Sequence, residues 1–236
     1  MTPFLQINDL TITCKDKLLV KNAGLCLNQG ECIALTGPSG SGKTTLLKAI
    51  CHILPQSFTV SGKICFLKND ISKLSLRQLN KYLGTGITMI LQNPADNFDD
   101  RKSILNHFEE AMHASSLKAK EEVKRLAVDL LYKMQLAYPQ NLLKRRSFEL
   151  SQGMCQRVIL ALTLMQRPKL ILADEFTCSL DIITRVQILQ LLNNLHQEMG
   201  FGLLFITHNK DDARFLADRT YHLEHATLQQ RILDGT

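Results

Sequence analysis

The sequence predicts an α/β fold whose core is a mainly parallel sheet. Short apolar segments, typical of buried strands, alternate with longer segments in which apolar residues recur with the helical period. That alternation favours parallel strands joined by helices. With 236 residues, 45% hydrophobic and 21% charged, the chain can form one globular domain with a sizeable core.

The first third of the chain is rich in predicted strands. FLQINDLTIT alternates apolar and polar residues, as a half-buried strand does, whereas ECIALTG is an apolar strand that runs into glycines. In chain order, the predicted elements are strands at 4–13, 25–30 and 31–37, a helix at 44–54 that stops at Pro55, a strand at 61–67 opened by a Ser-Gly turn, and a buried strand at 87–94 halted by Asn93-Pro94.

Residues 95–165 show helical periodicity without an interrupting strand pattern. The segments 103–117 and 119–135 carry alternating charges around apolar stripes, which is typical of helices with one buried face. We expect a helical subdomain here. It would be inserted into a single domain whose β-containing core comprises residues 1–94 and 166–236.

After Pro168 the alternation of strands and helices returns. Ligands bind at the carboxyl ends of the strands in such sheets, and the candidate functional residues below follow predicted strands. The predicted elements are a buried strand at 169–175, a long helix at 181–199, a strand at 201–208, a helix at 211–218 and a closing segment at 219–233.

Charge and cysteine usage limit the class of protein. The net charge is +6, but basic clusters such as 144–146 are short and lack interleaved aromatics. This favours a solvated basic face over nucleic-acid binding, although an anionic membrane or an acidic partner would also suit it. Seven scattered cysteines without a CxxC pair indicate reduced thiols and a cytosolic location. No signal-peptide pattern and no apolar run of about 18–20 residues is visible, so we expect any work at a membrane to go through partners.

The segment GPSGSGKTT matches the phosphate-binding pattern G-x-x-x-x-G-K-[ST] in full, between a predicted strand and a predicted helix. Its glycines let the backbone curl with N–H groups pointing inward, and the helix N-terminus adds partial positive charge. We expect Lys43 to pair with the β- and γ-phosphates and the Thr44 hydroxyl to bind Mg²⁺. The predicted nucleotide-binding residues of this P-loop are Gly37, Pro38, Ser39, Gly40, Ser41, Gly42, Lys43, Thr44 and Thr45.

An acidic pair, Asp174 and Glu175, ends the buried strand KLILADE. Both carboxylates should lie at the edge of the sheet that faces the P-loop. Asp174 is placed to hold Mg²⁺ through water, since that ion keeps part of its hydration shell. Glu175 is then available to polarise an attacking water as general base.

Four further features complete a recognisable set. Gln92 ends a predicted strand, ELSQGMCQR at 149–157 precedes the acidic pair, CSLD at 178–181 follows it, and His208 ends the strand LLFITH. With the P-loop, this set resembles the nucleotide-binding subunit of an ABC transporter over nearly the whole chain. The resemblance implies a P-loop NTPase fold of ABC type, in which N-terminal antiparallel strands and an inserted helical subdomain accompany the mainly parallel core, and it implies ATP as the nucleotide.

The resemblance also gives each feature a role. In ABC ATPases two domains stack head to tail, so the signature residues Ser151, Gln152, Gly153 and Met154 would act on ATP held by the P-loop of a partner chain. A helix N-terminus with a serine and a glycine amide is suited to an anion.

Three residues outside the signature receive roles in the same way. His208 would stabilise charge on the γ-phosphate, Gln92 would bind Mg²⁺ or orient water and relay the nucleotide state to a membrane partner, and Asp181 would act across the dimer interface.

Several positions depart from the family pattern. Gln152 and Met154 replace a glycine and a glutamine of the signature, and the larger Gln152 could crowd the phosphate. Phe176 stands where the family usually has proline, Asn209 where it has aspartate, and Cys14 where it has an aromatic residue that stacks on adenine. None of these changes removes a phosphate or Mg²⁺ contact, so ATP hydrolysis is still expected.

The segments ITMILQNPADNF, GMCQRVILALTL and ILPQSFTVSGKI resemble those of peptide and nickel importers. The chain ends at Thr236 without the cysteine-containing extension usual in oligopeptide importers, which favours the nickel type. We therefore expect import of nickel or a related metal chelate, with di- or oligopeptides as the alternative. The expected partners are a second, unlike ATPase subunit, two permease subunits and an external solute-binding protein, at the cytoplasmic face of a bacterial membrane. An exporter subunit, a soluble non-transport ABC ATPase and an inactive regulatory subunit are further alternatives.

Overall fold

The computed structural model describes residues 3–93, 97–113 and 119–231, in which ten strands form a single mixed sheet. The strands are β1 (Leu5–Cys14), β2 (Lys17–Leu27), β3 (Cys32–Thr36), β4 (Phe58–Phe66), β5 (Asn69–Asp70), β6 (Ile87–Ile90), β7 (Leu170–Asp174), β8 (Gly202–Ile206), β9 (Arg219–Glu224) and β10 (Thr227–Arg231). The helices are α1 (Lys43–Ile50), α2 (Leu76–Leu79), α3 (Ile104–His113), α4 (Lys120–Lys133), α5 (Pro139–Leu142), α6 (Gln152–Met165), α7 (Ile182–Met199) and α8 (Lys210–Leu216), with a 3₁₀ turn at Ser147–Glu149. Among the described residues, no helix is both long enough and apolar enough to cross a membrane.

The strand order is β5-β4-β1-β2-β10-β9-β3-β8-β7-β6. The run from β9 to β6 is parallel, whereas β5, β4, β1 and β2 pair antiparallel. β10 joins the two parts, because it pairs antiparallel with β9 and meets β2 at Thr227 and Lys21. The predicted α/β fold, with a parallel core and N-terminal antiparallel strands, is confirmed.

The central parallel strands are buried on both faces. Within β7, Leu170 and Leu172 join one hydrophobic cluster, and Ile171 and Ala173 join another. Because successive side chains of a strand point to opposite faces, the two clusters lie on opposite sides of the sheet. One cluster packs against α1, and the other packs against α6, α7 and the helices at 104–133. This two-sided burial explains why β7 is a continuous apolar run in the sequence.

Two predictions about element boundaries are wrong. The first helix ends at Ile50 instead of reaching Pro55, because His52 adopts a left-handed backbone with φ of 54°. Ser61-Gly62 is not a turn before a strand; it lies inside β4, at a register shift where Gly62 has φ of 103°. A side chain at Gly62 would meet the Asp9 carbonyl oxygen at 2.5 Å, so the glycine permits a close crossing of two strands.

Other differences concern elements that the periodicity does not mark. β2 begins at Lys17, well before the predicted start at 25, and two four-residue helices, α2 and α5, were not predicted. Pro94, residues 114–117 of the predicted helix at 103–117, and residues 232–233 of the closing segment lie outside the described residues.

Candidate functional site

The strand order brings four predicted functional segments to one edge of the sheet. β3, β8, β7 and β6 are neighbours and parallel, so the residues that follow them meet at their carboxyl ends. The P-loop follows β3, His208 follows β8, the acidic pair ends β7, and Gln92 follows β6. These segments are far apart in sequence and become neighbours only through the sheet.

The P-loop curls tightly between β3 and α1. Gly37, Gly40 and Gly42 have φ values of 144°, 74° and 105°, a region that side chains rarely adopt. At Gly37 a Cβ atom would lie 2.2 Å from the Leu223 carbonyl oxygen, so only glycine lets the loop pass this close to β9. Pro38, Ser39 and Gly40 are exposed at the tip of the loop, and the Ser41 hydroxyl oxygen is buried without a hydrogen-bond partner among the described residues.

Lys43 is the first residue of α1, and its side chain folds back into the P-loop. The Nζ atom donates hydrogen bonds to the carbonyl oxygens of Gly37, at 3.0 Å, and Pro38, at 2.8 Å. Burial lowers the pKa of this ammonium group, while the nearby carboxylates of Glu175 and Asp174 act in the opposite direction. A cation thus sits inside a curl of backbone, which is a suitable arrangement for a phosphate group.

Thr44 and Asp174 join the P-loop to the acidic pair. The Thr44 hydroxyl donates a hydrogen bond to Asp174 Oδ1 at 3.1 Å. Asp174 is 3% exposed, and burial, together with the charge of Glu175, raises the pKa of its carboxyl group above the usual value. A hydroxyl oxygen and a carboxylate oxygen side by side are ligands that Mg²⁺ prefers, so the residues present fit this ion. Thr45, the next residue of α1, is half-buried.

Glu175 is held from two sides. Gln92 Nε2 donates a hydrogen bond to Glu175 Oε2 at 2.9 Å, and His208 Nε2 lies 2.7 Å from Glu175 Oε1. The backbone of Glu175 is left-handed, with φ of 44°, a conformation that is uncommon for residues other than glycine. The structure therefore brings three predicted catalytic residues into one hydrogen-bonded group.

Two residues near this group were not predicted from the sequence. Asp212 of α8 is buried, accepts a hydrogen bond from the Thr177 hydroxyl at 3.2 Å, and lies 3.5 Å from Arg185 Nε. Burial raises the pKa of the Asp212 carboxyl, against the lowering effect of Arg185. The Sγ atom of exposed Cys178 lies 3.9 Å from Gln92 Nε2. Asp212 stands in no recognisable motif, and Cys178 belongs to CSLD without a role assigned to it there, because the contacts of both residues depend on tertiary packing.

The signature residues begin α6. The Ser151 hydroxyl caps this helix and accepts a hydrogen bond from the Met154 amide at 3.3 Å, as predicted for a helix start. Gln152 is exposed. A Cβ atom at Gly153 would lie 2.8 Å from Thr184 Cγ2, so the glycine lets α6 approach the start of α7. Among the described residues, no hydrogen bond links this segment to the P-loop of the same chain.

Asp181 caps α7. Its carboxylate accepts hydrogen bonds from the Ile183 and Thr184 amides at 3.1 Å and 3.0 Å. Hydrogen bonding from the Thr184 side chain and from these amides lowers the pKa of the carboxyl group. Asn209 caps α8 in the same manner, accepting from the Asp211 amide at 2.7 Å. An asparagine therefore supplies the cap that the family's aspartate would supply.

Two other departures from the family pattern, Phe176 and Cys14, lie at buried or half-buried positions. Phe176 is 2% exposed and belongs to the hydrophobic cluster around α6 and α7. Cys14 ends β1, half-buried, and is paired in register with Phe58 of β4. Since paired residues of an antiparallel ladder point to the same face, an aromatic ring is present beside Cys14, although on another strand.

Comparisons with known proteins agree with this geometry. The family model for ABC transporters matches residues 20–178, more than half of the chain. The metal-staphylopine import system ATP-binding protein of Staphylococcus aureus is 32% identical over 226 residues, covering 95% of this chain and 83% of that protein. The oligopeptide transport ATP-binding protein of Bacillus subtilis is 31% identical over 225 residues, covering 93% of this chain and 63% of that protein.

A solved structure is similar over almost the full length. The dimeric structure of a post-hydrolysis state of the ATP-binding cassette MJ0796, bound to ADP and Pi, superimposes with a TM-score of 0.85 at 28% identity. The match covers 98% of this chain and 100% of that chain.

Proposed function

This chain belongs to the ABC transporter family of ATPases, and we propose that it hydrolyses ATP to power import of nickel or a related metal or metal chelate. The single observation that carries the hydrolytic role is the Glu175 carboxylate, bonded to Gln92 and His208 beside a P-loop. The similarity to a metal-staphylopine import ATPase supports the metal chelate as cargo.

Glu175 is the general base in this proposal. Its carboxylate would take a proton from the attacking water, Gln92 would orient that water, and His208 would donate a hydrogen bond to the γ-phosphate as negative charge develops there. The contacts of Glu175 with both side chains support these roles, because all three groups already converge on one point.

Thr44 and Asp174 would hold Mg²⁺, directly or through water, with Gln92 completing the set. The ion would neutralise charge on the β- and γ-phosphates when bound. The adjacency of the Thr44 hydroxyl and the buried Asp174 carboxylate supports this assignment.

The signature residues would act on ATP held by a second ATPase subunit. Ser151 and Gln152 are exposed at the start of α6, and an anion is the ligand that suits such a helix start. The similarity to a dimeric ATP-binding cassette supports a head-to-tail pair. We propose an unlike ATPase as the partner, together with two permeases and an external solute-binding protein, at the cytoplasmic face of the membrane.

The helical segment 95–165 would be the part of the chain that moves together with the membrane partner. Its helix α6 is joined to the rest of the chain through buried Arg157, which donates hydrogen bonds to the Met134 carbonyl oxygen at 2.7 Å and to Gln187 Oε1 at 3.0 Å. This connection would carry movement from α4 to the signature.

Uptake in cells tests the cargo. A strain that lacks this chain, complemented with wild type or Glu175→Gln, is given labelled nickel, labelled nickel with a chelator, or a labelled dipeptide. We expect nickel or chelate uptake to depend on the wild-type chain and to be lost with the variant. Loss of dipeptide uptake alone would instead support the peptide importer, which the similarity to an oligopeptide transport ATPase favours as the second candidate.

A further inference from the structure

A second cavity adjoins the candidate nucleotide site. It has a volume of 340 Å³ and shares Gly37 and His208 with that site. Its other walls come from α8, β9 and the end of β10, which have no part in the proposed function so far. Thr36 and Thr207 place it at the carboxyl ends of β3 and β8, where ligands of parallel sheets bind.

Three cations line this cavity. They are Lys210 and Arg214 of α8 and Arg231 at the end of β10. Arg214 makes only a long contact of 3.8 Å with exposed Asp211, and Lys210 and Arg231 form no ion pair with a carboxylate of the described residues. Positive charges that face one cavity repel each other. An oxyanion bound between them would be attracted to each of them and would offset this repulsion.

A buried hydroxyl adds a directed polar contact. Thr220 lines the cavity at 6% exposure, and its Oγ1 atom has no hydrogen-bond partner among the described residues. Buried polar groups are nearly always hydrogen-bonded, so an unpartnered hydroxyl in a cationic cavity points to a ligand that accepts or donates there. Phosphate oxygens match both the charge and the hydroxyl.

We propose that this cavity, lined by Lys210, Arg214, Thr220 and Arg231, binds a phosphate-type oxyanion separately from the P-loop. The oxyanion is inorganic phosphate released by hydrolysis or a phosphoryl group taken from solution. The first source rests on the proposed function, because His208 touches Glu175 through Nε2 and also lines the cavity. Phosphate released beside Glu175 would then pass the His208 imidazole ring to reach the cavity.

Calorimetry with inorganic phosphate tests the binding. The purified chain is first saturated with Mg²⁺ and a non-hydrolysable ATP analogue, which occupies the P-loop and the γ-phosphate position. We expect phosphate still to bind one site. Lys210→Gln with Arg231→Gln should weaken it by about tenfold or more, as loss of charged hydrogen bonds implies. The near-isosteric Thr220→Val should weaken it by about threefold to tenfold, as loss of one hydroxyl hydrogen bond implies.

Control variants distinguish phosphate binding in this cavity from nonspecific attraction by surface charge. Arg77→Gln with Lys81→Gln removes two exposed cations elsewhere and should leave phosphate affinity within about twofold of wild type, since such charges are screened. Analogue affinity, measured for each variant, should stay unchanged. Phosphate binding that disappears on saturation with the analogue, or that the cavity variants leave at the wild-type level, would overturn the proposal.

A second measurement distinguishes the sources. In the assembled complex, phosphate release is followed with a fluorescent phosphate reporter during ATP turnover. A changed release rate at an unchanged cleavage rate in Lys210→Gln with Arg231→Gln assigns the cavity to the phosphate product. Unchanged release with weakened phosphate binding assigns it to a phosphoryl group from solution. If the assembled complex does not hydrolyse ATP, the proposed function is contradicted, whereas the calorimetric test of phosphate binding still stands.

Discussion

At the scale of single residues, the site depends on Glu175 and its two contacts. Its carboxylate would lose much of its freedom through the bonds from Gln92 and His208, and its left-handed backbone sets the direction of the side chain. Such backbone conformations cost free energy and are found where the surrounding structure holds them. The geometry of this one residue therefore links three strands of the sheet.

Glu175→Gln should retain ATP binding and stop turnover. The amide keeps the size of the carboxylate but cannot take a proton from water, so we expect ATP hydrolysis in the assembled complex to fall by about 10²–10⁴-fold. Steady-state hydrolysis and equilibrium binding of labelled ATP measure the two effects. Exposed Glu121→Gln on α4 is the matched control, and full ATPase activity of Glu175→Gln would contradict the general-base role.

Asp174→Asn should stabilise the fold and impair Mg²⁺-dependent ATP binding. The pKa of Asp174 is raised by burial, so its charged form is destabilised in the folded state. Removing that charge should raise the Tm by about 3 °C at pH 8, on the usual scale for a domain of this size.

The pH dependence of that gain follows from the sign of the shift. Because the folded pKa lies above the unfolded one, wild-type stability rises as pH falls through the folded pKa towards the unfolded pKa. The advantage of Asp174→Asn should therefore be present above the raised pKa and shrink below it. Calorimetric melting across pH measures this, with exposed Asp129→Asn as control; an advantage independent of pH would contradict the explanation.

At the scale of elements, the P-loop is fixed by contact with β9 as much as by its own glycines. Gly37 passes so close to the Leu223 carbonyl that no side chain fits, and Gly42 approaches the Leu19 carbonyl in β2, where a Cβ atom would lie at 3.1 Å. The glycines of the motif thus serve packing against neighbouring strands as well as phosphate binding. Helix α1 can begin at Lys43 only because the preceding loop has this path.

Gly37→Ala should abolish nucleotide binding and lower the Tm strongly, because the added methyl group would lie 2.2 Å from a backbone oxygen. Gly30→Ala is the matched control: Gly30 also has a positive φ, of 64°, but no atom lies within 4 Å of its added Cβ. That control should cost only about 1–2 kcal/mol of backbone strain. Thermal melting and binding of a fluorescent ATP analogue measure both, and equal effects of the two variants would contradict the packing argument.

At the scale of the whole molecule, the described chain contains half of each composite site that we propose. The P-loop and acidic pair form one group, whereas the signature residues form hydrogen bonds within their own helix start. An exposed Gln152 at that start is the departure expected to affect the partner's ATP. Activity would then belong to a pair of chains.

Gln152→Gly should raise ATP hydrolysis in the assembled complex. The smaller residue would leave room for the phosphate of the partner chain, and we expect an increase of up to about tenfold, equivalent to about 1.4 kcal/mol of barrier. Phosphate production by the complex measures it. Gln190→Gly, at an exposed position of α7, controls for the cost of glycine in a helix. A rate that is unchanged or lower in Gln152→Gly would contradict the crowding argument.

The fold class and most residues of the candidate site could be predicted from the sequence. Buried runs such as that of β7 marked the parallel strands, and the P-loop, acidic pair, Gln92 and His208 follow such strands in a recognisable order. These features are local, because strand burial and phosphate binding each impose a pattern on a few consecutive residues.

Which of these groups contact one another became visible only in the folded chain. The strand order placed Gln92 and His208 on Glu175, brought Asp212 to Thr177 and Arg185, and gathered Lys210, Arg214 and Arg231 around one cavity. It also showed Ser61-Gly62 as a crossing inside a strand instead of a turn. These contacts join residues distant in the chain through sheet order and helix packing, and no short sequence pattern records such long-range geometry.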